Sequence, residues 1–368
     1  TTQKRVAVLA PTGTAALNVN GDTIHSFFGF RVDVTPDKVR RLAKKRRQAY
    51  AALDAVVIDE ASMLRADWLD CVERFLRFNG RNPGLAFGGV QMILVGDLHQ
   101  LPPVLVNDER AGFLEKYKSE YFFDSEAFSR TAFNRIELTK IYRQADGEFI
   151  GILNAIRNNV LTSEQLERLN RRCDGSKQGL DVTLTTVNRV AEDINQANLD
   201  QLDGKAVVFA ARLSGKFGRE KNPAPEALKL KVGAQVMMLN NDAGKRWVNG
   251  SMGKVTGFAS LDEQEDAVEV KLENGLDVQV TPFKWSVFRQ VLDPKTRQMG
   301  AKALGSFSQL PLKLAWAVTI HKSQGKTFEK IRVDLSGGTF APGQLYVALS
   351  RCRSLDGISL AKPVEQRH

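Results

Sequence analysis

Asp59 and Glu60 close the apolar run Leu53–Ile58 and lead into Ala61-Ser62. A buried strand ending in two carboxylates delivers them to one edge of a sheet. There the first can hold Mg2+, through water, and the second can polarise an attacking water. That is the chemistry of nucleotide hydrolysis; an acidic strand end without chemistry is the plain alternative. Gly96-Asp97-Leu98-His99-Gln100-Leu101-Pro102-Pro103-Val104 follows the next apolar run, Val90–Val95. The Gln100 side chain donates and accepts, which suits it to sensing a γ-phosphate or ordering the attacking water. Taken alone, the segment reads as a proline-stiffened turn. Arg143 in IYRQ and Arg351 in ALSRCRS carry the planar, permanently charged fork that pairs with phosphate. Such arginines speed related hydrolyses by roughly 10³–10⁵, although most arginines are surface or structural ion-pair residues.

His25, His99 and His321 lie in polar, motif-like segments without metal-ligand spacing. Hydrogen bonding to a nucleic-acid backbone or between motifs is one role for them, and a plain core or cap role is the other. Phe27-Phe28 follow Thr23-Ile24-His25-Ser26. Aromatics beside polar residues make stacking platforms worth about 1–3 kcal/mol per base, and at least one of the pair is expected in the core. Six basic residues fall within Arg40–Arg47, either a solvated helix face or a contact to a DNA backbone. The phosphate-wrapping pattern G-x-x-x-x-G-K-[ST] does not occur. Its nearest match, Ser323-Gln324-Gly325-Lys326-Thr327, has Ile320 where the first glycine would stand. The expectation is that the chain begins inside a domain, with that strand, loop and helix upstream of Thr1.

These residues need elements to hold them. Arg5–Ala10, Leu53–Ile58 and Val90–Val95 read as buried parallel strands, each with polar or acidic residues just past its C-terminal end. In open α/β sheets ligands sit at that edge. Helices are expected over Pro36–Ala52 and Asp67–Phe78, the latter with Leu69, Val72, Phe75 and Leu76 on one stripe. A second α/β region follows, with helices over Glu148–Asn158, Val190–Leu202 and Pro342–Ser350, and strands over Val182–Val187, Leu314–Ile320 and Ile331–Leu335. Thr162-Ser163-Glu164-Gln165 is a capping box. Between Ala227 and Leu310, short alternating runs separated by turns, Asn274-Gly275 among them, read as a small inserted β-barrel.

The 368 residues allow two ordinary domains, and 43% hydrophobic residues allow real cores. No apolar run approaches the ~20 residues of a membrane helix, so no membrane partner is expected. The opening residues are not a secretory signal. Three scattered cysteines, Cys71, Cys173 and Cys352, form neither a disulfide framework nor a zinc pattern, which points to a reducing, intracellular compartment. A net charge of +10 and a pI near 9.5 favour a polyanionic partner.

Taken in order, the motifs resemble the Pif (petite integration frequency) family of DNA helicases, a superfamily-1B group close to the RecD-like branch. The resemblance runs from about Val6 to Leu360. It rests on Ala10-Pro11-Thr12-Gly13-Thr14-Ala15-Ala16, Thr23–Phe28, Val57–Met63, Phe87-Gly88-Gly89-Val90-Gln91 with Gly96-Asp97 and Gln100–Val104, Tyr142-Arg143-Gln144, Thr319–Gly325 and Tyr346–Arg351. It implies an α/β fold of two RecA-like P-loop NTPase domains, the first (1–145) incomplete and the second (146–368) carrying an SH3-like β-barrel at 227–310. It implies ATP and Mg2+ as cofactors, with ATP between the domains. By resemblance Asp59 holds Mg2+, Glu60 is the catalytic base, Gln100 contacts the γ-phosphate, Arg143 and Arg351 act as fingers, and Gly325 and Lys326 lie at the nucleotide. Thr12, Thr14, His25, Phe27, Pro102, Asn188, His321 and Lys322 match positions near DNA. The implied partners are single-stranded DNA and forked duplex DNA, met by a monomer that moves 5′ to 3′. The alternatives are a catalytically inactive fragment that binds single-stranded nucleic acid, for want of the phosphate loop, and an NTPase acting on RNA.

Overall fold

The computed structural model describes residues 4–31, 33–105, 107–173, 181–215, 217, 222–262, 265–292, 299–339 and 341–365. The chain divides into two compact units, Thr1–Thr139 with Val287–Leu304, and Lys140–Ser286 with Gly305–His368. The sequence reading drew its boundary at residue 145 and gave 287–304 to the insert.

The first unit is built on a parallel sheet of β1 (Val6–Ala10), β2 (Asp22–Thr23), β3 (Ala55–Ile58) and β4 (Gln91–Leu94), in the order β2-β1-β3-β4. The three longer strands coincide with the apolar runs. β1 and β3 bury Leu9, Val56 and Ile58 completely. Around them lie α1 (Gly13–Asn18), α2 (Ile24–Phe28), α3 (Lys44–Ala51), α4 (Ala66–Asn79), α5 (Asn107–Leu114) and α6 (Glu126–Ser129). α4 buries the expected stripe of Leu69, Val72, Phe75 and Leu76.

The single helix expected over Pro36–Ala52 is instead a short 3-10 turn at Pro36–Lys38, an extended stretch, and α3. The cause is Asn79 at the end of α4. Its buried carboxamide accepts from the Leu42 N–H (2.7 Å) and donates to the Arg40 carbonyl (3.3 Å), satisfying backbone groups that a helix would have paired internally. The Phe87-Gly88-Gly89 motif is architectural as well. Phe87 is buried in the core, and a Cβ at Gly88 would stand 2.2 Å from the Leu76 carbonyl oxygen.

The second unit has a parallel sheet of order β16-β5-β17-β18, with β5 (Val182–Thr185), β16 (Ala317–Thr319), β17 (Ile331–Asp334) and β18 (Ile358–Leu360). Its helices are α7 (Gly147–Arg157), α8 (Ser163–Asn170), α9 (Asn188–Gln201) and α10 (Gln344–Leu349). The capping box forms as read: Thr162 Oγ1 accepts from the Gln165 N–H, and Gln165 Oε1 accepts from the Thr162 N–H. The strand expected over Leu314–Ile320 is two strands in different sheets, β15 (Leu312–Leu314) and β16.

Antiparallel structure fills the span between β5 and β16. β6 (Val207–Ala210) pairs with β8 (Ala227–Leu230), and β7 (Arg212–Gly215) belongs to the sheet β13-β14-β7 with β13 (Phe283–Leu292) and β14 (Met299–Gln309). The largest sheet is β12-β11-β10-β9-β15, made with β9 (Gln235–Met238), β10 (Met252–Asp262), β11 (Glu265–Leu272) and β12 (Asp277–Val280). It buries Val236, Val255, Val268, Val270 and Val280 on Phe209, Leu228 and Trp247. The Asn274-Gly275 hairpin joins β11 to β12: Gly275 takes φ +87°, and Asn274 Oδ1 accepts from the Leu276 N–H. The β-rich region thus begins upstream of Ala227, with β6 and β7.

Candidate active site and nucleic-acid surface

In the first unit the strand ends assemble one edge. The Asp59 N–H donates to the Leu9 carbonyl of β1, and the Ala61 N–H donates to the Val95 carbonyl just past β4, each at 2.8 Å. Glu60 is therefore clamped from both sides, and it takes a left-handed conformation with φ +51° and ψ 44°. That conformation is costly for a residue with a Cβ and clusters at functional positions. The next strand's loop presses directly on this turn. A Cβ at Gly96 would lie 2.8 Å from Ala61 N and 3.0 Å from Ser62 N, so only glycine lets the two motif loops touch.

Asp97 organises the second loop. Its Oδ1 accepts from the His99 N–H (3.1 Å), and its Oδ2 accepts from Gln100 Nε2 (3.3 Å). A carboxylate can only accept, so it fixes which way the Gln100 amide points. Gln100 Oε1 is buried without a hydrogen-bond partner, as is the Ser62 hydroxyl oxygen two residues after Glu60. Two orphaned polar atoms on touching loops are what an edge built to receive a polar ligand leaves behind.

The candidate nucleic-acid residues of this unit are held by caps and rings. Thr12 Oγ1 accepts from the Ala15 N–H and so caps α1. The side chain of Thr14 lies outside the described residues. Thr23 caps α2, placing His25 edge-on to Trp68 at 4.4 Å. Phe28 is core, while Phe27 is half-buried against Phe28 and Tyr50. Pro102 is half-buried beside the fully buried Leu101.

In the second unit, two segments more than two hundred residues apart are tied together. Arg143 Nη1 donates to the Ser350 carbonyl (3.1 Å), and Gln144 Nε2 donates to the carbonyls of Ser350 (3.0 Å) and Cys352 (2.9 Å). Arg143 is exposed, whereas Arg351 is 2% exposed; its guanidinium donates to the Val347 carbonyl and to Ser350 Oγ. Gly325 takes φ +72° and turns the chain into Lys326, which is 4% exposed. The Lys326 ammonium donates to Asn249 Oδ1 at 2.7 Å, and burial pulls its pKa down to about 8. Lys313 is pulled down to about 7, by desolvation first and then by the charges of Lys326 and Lys322. Asn188 and His321-Lys322 leave the C-terminal ends of the adjacent parallel strands β5 and β16, and the Ile320 N–H donates to the Thr185 carbonyl between them. Burial lowers the His321 pKa, favouring the neutral ring.

Sequence reasoning missed Asp97, Gln144, Asn249 and Ser62 as site residues. Asp97 was findable, because an aspartate two and three residues before a histidine and a glutamine in a turn binds the turn's own donors. Gln144 and Asn249 act across long sequence separations and carry no local signal.

The comparisons with known proteins agree over nearly the whole chain. Residues 1–166 match the model of the PIF1-like helicase family, and residues 219–258 match that of the DNA helicase Pif1 2B domain. The ATP-dependent DNA helicase Pif1 of Bdellovibrio bacteriovorus is 33% identical, over 97% of this chain and 78% of its own length. The human ATP-dependent DNA helicase PIF1 is 35% identical over 95% of this chain; the chain spans 53%, about half, of that relative. The crystal structure of Bacteroides Pif1 in complex with ADP-AlF3 and ssDNA superposes with a TM-score of 0.70 at 38% identity, covering 100% of this chain and 85% of that one.

Proposed function

The chain belongs to the PIF1-like helicase family, and from that premise we propose that the protein is an ATP-dependent DNA helicase moving 5′ to 3′ on single-stranded DNA. The observation that carries the reading is the clamped Asp59–Glu60 turn, pressed through Gly96 against the loop that presents Gln100. No group of three or more His, Cys, Asp or Glu side chains able to hold a metal occurs among the described residues. Mg2+ needs only one or two carboxylates besides water and substrate phosphates. Asp59 is the residue that would hold it, and the orphaned Gln100 Oε1 fits a site that receives a hydrated triphosphate. Bound Mg2+ and ATP supply a polarised, charge-neutralised phosphoryl group. Glu60 accepts the proton of the attacking water, and the clamped turn fixes the backbone from which its carboxylate extends. Gln100 orders that water through Oε1 while Asp97 holds its amide. Arg143 and Arg351 meet the charge that develops on the phosphoryl oxygens.

Thr12, Thr14, His25, Phe27 and Pro102 in the first unit, and Asn188, His321 and Lys322 in the second, face the DNA strand in this reading. In this reading the antiparallel sheets between β5 and β16 make up the SH3-like element, and residues 219–258 among them match the Pif1 2B-domain model. The protein works as a monomer on single strands and forks, inside the cell, where Cys71, Cys173 and Cys352 stay reduced. A second reading, in which residues 1–368 by themselves bind single strands without turnover, rests on the lack of G-x-x-x-x-G-K-[ST] among them. Strand displacement on forks with one tail tests the proposal. Unwinding of a 5′-tailed duplex with ATP and Mg2+, and not of a 3′-tailed one, supports it. Binding of both without displacement favours the second reading.

A further inference from the structure

We propose that the basic strip Arg41–Arg46 of the first unit docks the phosphates of the single DNA strand that passes His25 and Phe27, an inference that rests on the helicase reading above. From Lys38 to Leu53 the chain holds Lys38, Arg40, Arg41, Lys44, Lys45, Arg46 and Arg47 and no acidic residue. Lys38 is spent on Asp33, and Arg40 folds back on the carbonyls of Asp37 and Val39. Arg41, Lys44, Lys45 and Arg46 are exposed, and among the described residues their side chains make no hydrogen bond or ion pair.

The strip is unfavourable for the fold that carries it. α3 starts at Ala43 without a side-chain cap, and its first turn holds Lys44, Lys45, Arg46 and Arg47 with no carboxylate. Cations at that end oppose the helix dipole, and like charges so close repel. A partner rich in negative charge relieves both. The strip is also held in register with the candidate DNA residues. Asn79 fixes the backbone at Arg40 and Leu42, and on the other face of α3 Ala49 is buried and Tyr50 packs on Phe28 and Phe75. The Tyr50 hydroxyl donates to the Phe27 carbonyl at 2.9 Å, tying α3 directly to α2.

Length and composition select the partner. Arg41 to Lys44 is extended and Lys44 to Arg46 helical, so the four free cations span on the order of 13 Å. A stacked strand offers about one phosphate per 3.4 Å, hence about four over that length. No exposed large apolar side chain interrupts the strip, which excludes the amphipathic pattern of a membrane-surface helix.

The test is the salt dependence of binding to a fluorescein-labelled oligothymidylate, read by anisotropy between about 50 and 200 mM KCl, for the wild type and for R41Q/K44Q/K45Q/R46Q. Loss of four phosphate contacts flattens the slope of log K against log salt by about 3 and weakens binding more than tenfold at the low-salt end. The loss on a blunt duplex of equal length is smaller. An unchanged slope overturns the proposal, and so does a loss confined to the duplex. A wild type that binds neither DNA removes the helicase reading and the strip with it. K44E/K45E guards against misfolding: acids in the first turn stabilise α3, so this variant melts no lower than wild type while binding DNA more weakly. Weaker binding only in step with a lower Tm contradicts the proposal.

Discussion

The two halves of the candidate machinery hold their groups differently, although each keeps a buried amide atom without a partner, Gln100 Oε1 in the first and Gln324 Nε2 in the second. In the first unit the functional groups sit on tight turns at strand ends, with a left-handed glutamate and polar atoms left unpartnered at Gln100 and Ser62. In the second unit the cations are satisfied by the protein itself: Arg351 is bound to its own helix, Lys326 to Asn249, and Arg143 to Ser350. The first unit stores readiness for a ligand as strain and unsatisfied hydrogen bonding. The second stores position by burying charge, which requires internal partners. Removing a functional side chain from the first edge should therefore cost turnover and spare the fold, while removing an arginine from the second should cost the fold in proportion to its burial.

Arg143 tests that contrast most severely, because it is exposed although it belongs to the second edge. Arg143→Ala is expected to cut DNA-stimulated ATPase by roughly 10³–10⁵ and to change thermal stability by no more than ~0.5 kcal/mol. Steady-state kinetics beside a melting curve reads both, and a large stability loss would break the comparison. Arg351→Ala leaves a cavity and removes the guanidinium's hydrogen bonds to the Val347 carbonyl and Ser350 Oγ. Denaturant unfolding should show a loss of about 2–4 kcal/mol; a variant as stable as wild type would mean that the buried guanidinium is not structural. Gly96→Ala drives a Cβ against Ala61 N and should cost about 1–3 kcal/mol, with a larger loss of kcat than of nucleotide affinity if the two loops act as one.

The smallest effect is expected at Lys326. Its folded pKa, about 8, lies below the ordinary 10.5, so burying the charged form costs stability in full below pH 8. That cost fades as pH rises from 8 towards 10.5. Lys326→Met should therefore gain on the order of 1–2 kcal/mol over wild type at pH 6 and little at pH 10.5, after the loss to Asn249. A gain independent of pH would assign the effect to packing alone.

Where local chemistry decides a structure, the sequence was enough to read it. The apolar strands β1, β3 and β4, the α4 stripe, the Thr162 capping box and the Asn274-Gly275 hairpin each depend on neighbours a few residues away. The broken helix at Pro36–Ala52 was illegible because the groups that interrupt it belong to Asn79, 37 residues from Leu42. The clamp on Glu60 needs the carbonyls of Leu9 and Val95 on the two neighbouring strands, so its backbone could not be read from Asp59-Glu60-Ala61. The same holds for the tie between Arg143 and Ser350, and for Phe87-Gly88-Gly89, whose close approach to Leu76 makes a motif of what is packing.

Glu60 offers the most direct test of the account. ATP turnover with saturating oligothymidylate and Mg2+, and nucleotide affinity, should be measured for Glu60→Gln beside wild type. Turnover should fall by roughly 10²–10⁴, with nucleotide affinity within a few-fold and an unchanged Tm. Normal hydrolysis by the variant would contradict the assignment of the base, and with it the claim that the clamped turn is the catalytic edge.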